Sequence, residues 1–142
     1  MNAETAFDTD AAMVLGMAST AMPFARSPEA EAERWLRILR LHGEAGIALQ
    51  ALGVSEAPLE APRPGAGGER GDAAGRSDRN VVAAVTEAAV QVALERGART
   101  VGTSDVLVGA MHVYGADFDR VLRVHGTDRD EVLERLATHR PR

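Results

Sequence analysis

The sequence predicts an all-α fold made of two pseudo-symmetric four-helix repeats joined by a flexible linker. Three observations predict it. Apolar residues recur at three- and four-residue spacing along most of the chain. The apolar content is mainly Ala, Val, Leu and Met, with only 4% aromatic residues, a composition that suits close helix packing better than a β-sandwich. Two helical segments of similar length, residues 6–56 and 78–137, flank a stretch at 57–77 rich in Pro and Gly, with Leu59 its one large apolar residue. That stretch cannot bury enough surface to offset its ordering entropy and is expected to be a linker.

In the first segment, Asp8 or Thr9 is placed to cap a helix running to about Met22 through Ala12, Met13, Leu15, Ala18 and Ala21. Gly16 weakens this helix and permits a close crossing. Ser27-Pro28-Glu29 is a strong helix start: an oxygen acceptor, a preset φ, and a carboxylate at the positive end of the dipole. The helix that follows presents Ala32, Trp35, Leu36 and Leu39 on one face, with Glu33 and Arg37 expected to pair on another. Gly43 is expected to end it, before a short helix over Ala45–Leu52 closed by Gly53.

In the second segment, Val82, Val85, Ala89, Val92 and Ala93 form a stripe opposite Glu87, Gln91 and Glu95, and Gly97 stops the helix. Thr103 or Ser104 is expected to cap the next helix, which carries Val106, Leu107, Ala110 and Met111. A third helix runs through Phe118, Val121 and Leu122 to Gly126. Thr127 with Asp130 suggests a capping box ahead of Val132, Leu133 and Leu136.

Composition excludes several functions. Net charge is −5 and all 16 basic residues are Arg, so the basic footprint of a nucleic-acid binder is missing. Without Cys there are no disulfides, thiolate metal sites or Cys nucleophiles. Without Lys there is no phosphate-binding G-x-x-x-x-G-K-[ST] loop, hence no ATPase of that type. No signal-peptide pattern and no apolar run of about 20 residues is seen, so a cytoplasmic protein with no membrane partner is expected. His42, His112, His125 and His139 lack helix-borne metal spacing. No nucleophile elbow or placed general base marks an enzyme, and no cofactor is expected. Trp35, Met13, Met17 and Met22 read first as core and second as the lining of a groove. The Arg34–Arg37–Arg40 stripe reads first as a solvated face and second as a contact for an acidic partner.

The two segments align at a nearly constant offset. Ala18 pairs with Ala89 (89 − 18 = 71), Leu36 with Leu107 (107 − 36 = 71), and Gly53 with Gly126 (126 − 53 = 73). Such internal similarity is the mark of a duplicated unit.

The stretches AVQVALERGARTVGTSDVLVGAM and FDRVLRVHGTDRDEV resemble the repeat of the N-terminal domain of Clp protease ATPase subunits. That repeat runs from an Ala-rich helix through a Gly turn into a V-G-T-E-H-L-L-type helix start, followed by V-L-x-x-x-G-V-D. Phe7-Asp8-Thr9-Asp10, Trp35–Leu39 and Ala48–Val54 resemble the opening, Leu-rich and closing parts of the first repeat. The resemblance covers residues 6–56 and 78–137. It implies a non-enzymatic docking module, free of the ATPase that ordinarily follows, with Clp machinery, an adaptor or a substrate protein as partner.

In Gram-positive members the domain binds phosphorylated arginine through the Glu of each V-G-T-E-H motif and a Thr beside the opening Phe. The matching positions here are Glu33 in the first half and Ser104 in the second, with Asp8 in place of that Thr and Thr9 next to it. The resemblance therefore implies a partner-binding set of Phe7, Asp8, Thr9, Glu33, Arg37, Thr103, Ser104 and Asp105. The alternatives are a small-molecule-sequestering protein, such as an antibiotic-resistance decoy, and a recruited enzyme or accessory factor of specialised metabolism. A deep pocket with Glu33, Asp105 or His112 converging on it would mark the last.

Overall fold

A computed structural model of the chain describes residues 6–25, 27–54 and 81–139. Within them the fold is all-α, with seven helices and one pair of two-residue strands. The linker expected at 57–77, and the first residues of the second segment, lie outside the described residues. No helix among the described residues is long and apolar enough to cross a membrane.

Strand β1 (Ala6–Phe7) leads into α1 (Thr9–Ala21), capped by Asp8, whose Oδ1 accepts the Ala11 N–H at 2.8 Å. Its buried stripe is Ala11, Val14 and Ala18. Of the expected inward residues Ala18 holds, but Ala12 and Met13 face outward. The i, i+3, i+7 pattern fits both stripes, and the two small alanines are what let α1 lie close to its neighbours. Of the three methionines weighed as core, Met22 is buried, whereas Met13 and Met17 are 45% and 41% exposed.

After a 3₁₀ turn at Met22–Phe24, α2 (Pro28–Leu39) begins as the sequence predicts, the Ser27 Oγ accepting the Ala30 N–H at 3.0 Å. It buries Ala32, Trp35, Leu36 and Leu39. Gly43 does not end this helix. It opens α3 (Gly43–Ala51) at φ +60°, a left-handed conformation that favours glycine. Gly53 closes α3 at φ +89°.

Helix α4 (Val81–Glu95) buries Val85, Ala89 and Ala93, and Gly97 ends it at φ +77°, with the Ala98 N–H donating to the Ala93 carbonyl at 2.8 Å. Strand β2 (Thr100–Val101) follows, then α5 (Thr103–Tyr114). The N-cap of α5 is Gly102, not Thr103 or Ser104: both hydroxyls lie inside the first turn, and Asp105 reaches back to accept the Gly102 N–H at 2.9 Å. Helix α6 (Ala116–Val124) buries Phe118, Val121 and Leu122 and closes through Gly126 at φ +91°. Helix α7 (Arg129–His139) starts on Asp128, whose Oδ1 accepts the Glu131 N–H at 2.9 Å. The expected Thr127–Asp130 box is not formed. Thr127 donates instead to Glu131 Oε1 at 2.7 Å, because Asp128 already occupies the cap.

Helices from both ends of the chain share one core. Helix α2 lies against α5 and α6, and α3 against α5 and α7. Trp35, Leu36, Leu107, Phe118 and Leu122 fill the centre. A close crossing of α4 and α5 is set by Gly109: a Cβ there would stand 2.9 Å from the Ala89 nitrogen on α4, so only glycine lets the backbones meet. Strands β1 and β2 pair in parallel, Ala6 beside Thr100 and Phe7 beside Val101.

Candidate functional site

Six of the eight expected site residues are gathered by the strand pair. The Asp8 N–H donates to the Val101 carbonyl at 3.0 Å, setting Phe7-Asp8-Thr9 beside the start of α5. Asp8 and Thr9 are exposed and Phe7 is half-buried, so this edge is accessible. Thr103, Ser104 and Asp105 are buried, and each has a structural partner. Thr103 Oγ1 accepts the Ala45 N–H at 3.1 Å, and Ser104 Oγ donates to Glu44 Oε1 at 3.5 Å.

Asp105 is fully buried and engages Arg96 in a fork, Nε at 2.8 Å and Nη2 at 2.5 Å, while also holding the Gly102 N–H. This carboxylate raises the already high pKa of the Arg96 guanidinium, with burial opposing and the nearby Glu44 charge adding to it. Asp105 therefore shapes the turn that presents the site, and its acceptor capacity is spent on the chain itself.

Glu33 and Arg37 stand on α2, and the polar contacts of Glu33 go to α6. The expected Glu33–Arg37 pair does not form. The Glu33 carboxylate meets His125 Nε2 at 3.0 and 3.3 Å instead, and Arg37 is exposed. The reason is tertiary: α6 brings its C-terminal cap residue, His125, over the α2 face carrying Glu33. One turn earlier on α2, Glu29 accepts from Arg120 Nε at 2.7 Å, and Arg120 Nη2 also donates to Asp117 at 2.6 Å. Both carboxylates push the Arg120 pKa up, Glu29 the more strongly.

The arginine stripe is not simply a solvated face. Arg34 donates to the Ala21 carbonyl at 3.3 Å and Arg40 to the Val54 carbonyl at 3.0 Å, each satisfying backbone at the end of an element.

One buried polar group went unread at the sequence level. Trp35 Nε1 donates to the Tyr114 hydroxyl at 3.1 Å, and that hydroxyl donates to Glu31 Oε1 at 2.7 Å. Glu31 is buried in the first turn of α2, where sequence position alone suggests only a dipole partner. The available signal was that the one Trp and the one Tyr each need a polar partner once buried.

Among the described residues no group of three or more His, Cys, Asp or Glu side chains could hold a metal ion. His42 precedes α3 and His112 is exposed in the last turn of α5. The side chain of His139 lies outside the described residues. No protein-family model matches the chain, and no curated protein or solved structure matches it either.

Proposed function

We propose that this chain forms a docking module of the Clp N-terminal type: two helical repeats that receive an adaptor or substrate protein in the cytoplasm without chemistry of their own. The observation that carries the reading is the paired behaviour of positions one repeat apart. Ala18 and Ala89 are both fully buried, as is Leu107, with Leu36 at 1%. Gly53 and Gly126 close their helices at φ +89° and +91°.

The cross-half packing is paired as well. Helix α2 lies on α6 and α3 lies on α5, which a pseudo-two-fold would interchange. Glu33 and Ser104, related by the 71-residue offset (104 − 33 = 71), each make a polar contact across the halves, to His125 and Glu44. A partner surface at Phe7-Asp8-Thr9 is supported by the exposure of Asp8 and Thr9 and by the Asp105-held turn beside them.

The test is affinity capture from the native cytoplasm with the purified chain as bait, run beside Thr9→Arg. Recovery of Clp subunits, adaptors or their clients by the wild type, and their loss with Thr9→Arg, is the expected result. Recovery of a small metabolite alone would overturn the docking reading in favour of sequestration.

A further inference from the structure

The described glycines have local reasons for being glycine, with one exception. Gly43, Gly53, Gly97, Gly115 and Gly126 adopt positive φ. Gly46 and Gly109 sit where a Cβ would meet backbone at 2.7 and 2.9 Å, and Gly102 is the α5 cap, 3.3 Å from Asp8 Oδ2. Gly16, in the middle of α1, has neither reason: a Cβ there would meet nothing within 4 Å. Glycine is the least favourable residue short of proline in a helix interior, and nothing among the described residues accounts for it.

The face on which Gly16 lies is also unlike a solvated helix face. Opposite the buried stripe of Ala11, Val14 and Ala18, α1 presents Ala12, Met13, Gly16, Met17 and Thr20, all exposed and none charged. The outer face of α4 carries Glu87, Gln91 and Glu95 instead. On α1, Ala12, Gly16 and Thr20 form a shallow trough, and Met13 and Met17 a ridge beside it. In an antiparallel two-fold pair each flank meets its own copy, so the small residues of one helix face those of the other and let the backbones approach, while Met13 and Met17 alternate with their counterparts along one side.

The charges at the ends of α1 choose the direction. Asp10 lies in the first turn. At the other end, Arg34 is anchored by Nη1 to the Ala21 carbonyl. In an antiparallel pair crossing at Gly16, Asp10 is six residues before the crossing (16 − 10 = 6) and falls beside the partner's sixth residue after it, at the Ala21–Met22 end where Arg34 sits.

We propose that α1 docks on α1 of a second copy of this chain in an antiparallel two-fold pair, Gly16 against Gly16, with Asp10 of each copy facing Arg34 of the other. A one-helix face is well below the roughly 1,600 Å² of a standard stable interface, so the dimer exchanges, with a dissociation constant on the order of tens of micromolar. The proposal is independent of the docking reading and stands or falls separately from it.

The chain has no cysteine, so single-cysteine variants of the full chain report the geometry cleanly. A disulfide between identical positions forms only next to a two-fold axis. Sedimentation equilibrium of the wild type over about 5 to about 300 µM should show an average mass rising from 15.0 kDa toward twice that value. Under mild oxidation Gly16→Cys should cross-link at least ~10-fold faster than Glu87→Cys on the α4 face. Met17→Glu should remain at monomer mass while melting as the wild type does. A wild type that stays monomeric throughout, equal cross-linking rates, or a dimer indifferent to Met17→Glu would each overturn the proposal.

Discussion

The Thr103 hydroxyl accepts the Ala45 backbone N–H at 3.1 Å, so the first residue of one helix satisfies the first turn of another. The two helix starts, α5 and α3, come from opposite sides of the expected linker, and His42 supplies no side-chain cap of its own to α3. Gly43 is needed twice over here: its φ is +60°, and a Cβ would stand 2.5 Å from Thr103 Oγ1.

Thr103→Val keeps the shape and removes the acceptor, leaving a buried N–H unpaired. A loss of about 1–3 kcal/mol is expected in urea denaturation, and Thr103→Ser should recover most of it.

Two glycine-to-alanine changes should act with opposite signs. Gly109→Ala forces a methyl onto the α4 backbone and should cost about 1–3 kcal/mol. Gly16→Ala meets open space and should stabilise the monomer by about 0.5–1 kcal/mol at low protein concentration. Thermal melts at a few micromolar compare the two directly.

Asp105→Asn leaves Arg96 without its fork and weakens the Gly102 contact. With Arg96 one-third exposed, solvent screens part of the loss, and about 2–3 kcal/mol is expected. Arg96→Lys should fare little better than Arg96→Gln, because an ammonium cannot span both carboxylate oxygens. Asp105 raises the pKa of Arg96, so the contribution of this guanidinium is complete below its ordinary value and is lost only as pH rises through the elevated one. Titration of Arg96 should therefore add no pH dependence to stability between about pH 6 and 9, a range in which denaturation midpoints can be compared.

Tyr114→Phe removes both the acceptor for Trp35 and the donor to Glu31. A destabilisation of about 1–3 kcal/mol is expected. The chain has a single tryptophan, so a shift in its emission spectrum would report the lost indole bond directly.

What could be read from sequence was what is decided locally. Asp8 and Ser27 act as caps, and Gly53, Gly97 and Gly126 stop helices, because each role depends on the few residues around it. The inward stripe of α1 was misassigned because overlapping three- and four-residue spacings leave two stripes open, and only packing selects Ala11 and Val14. The same limit governs the site. That Phe7-Asp8-Thr9 lies beside the turn before α5 follows from the strand pair and not from any local pattern. That Glu33 would meet His125 instead of Arg37, or that Thr103 would serve α3, depends on partners 92 and 58 residues away. No spacing rule reaches so far.

The strand pair gives a kinetic consequence. Ala6 lies beside Thr100, 94 residues on (100 − 6 = 94), so β1 docks only after most of the intervening chain has been collected. Closing so large a loop costs entropy before its contacts return any, and helical proteins that depend on such distant pairs fold more slowly than bundles built from neighbours. During synthesis the β1–α1 segment must then wait for β2 and α5 to emerge behind it, and in that interval its apolar face is open to chaperones and proteases.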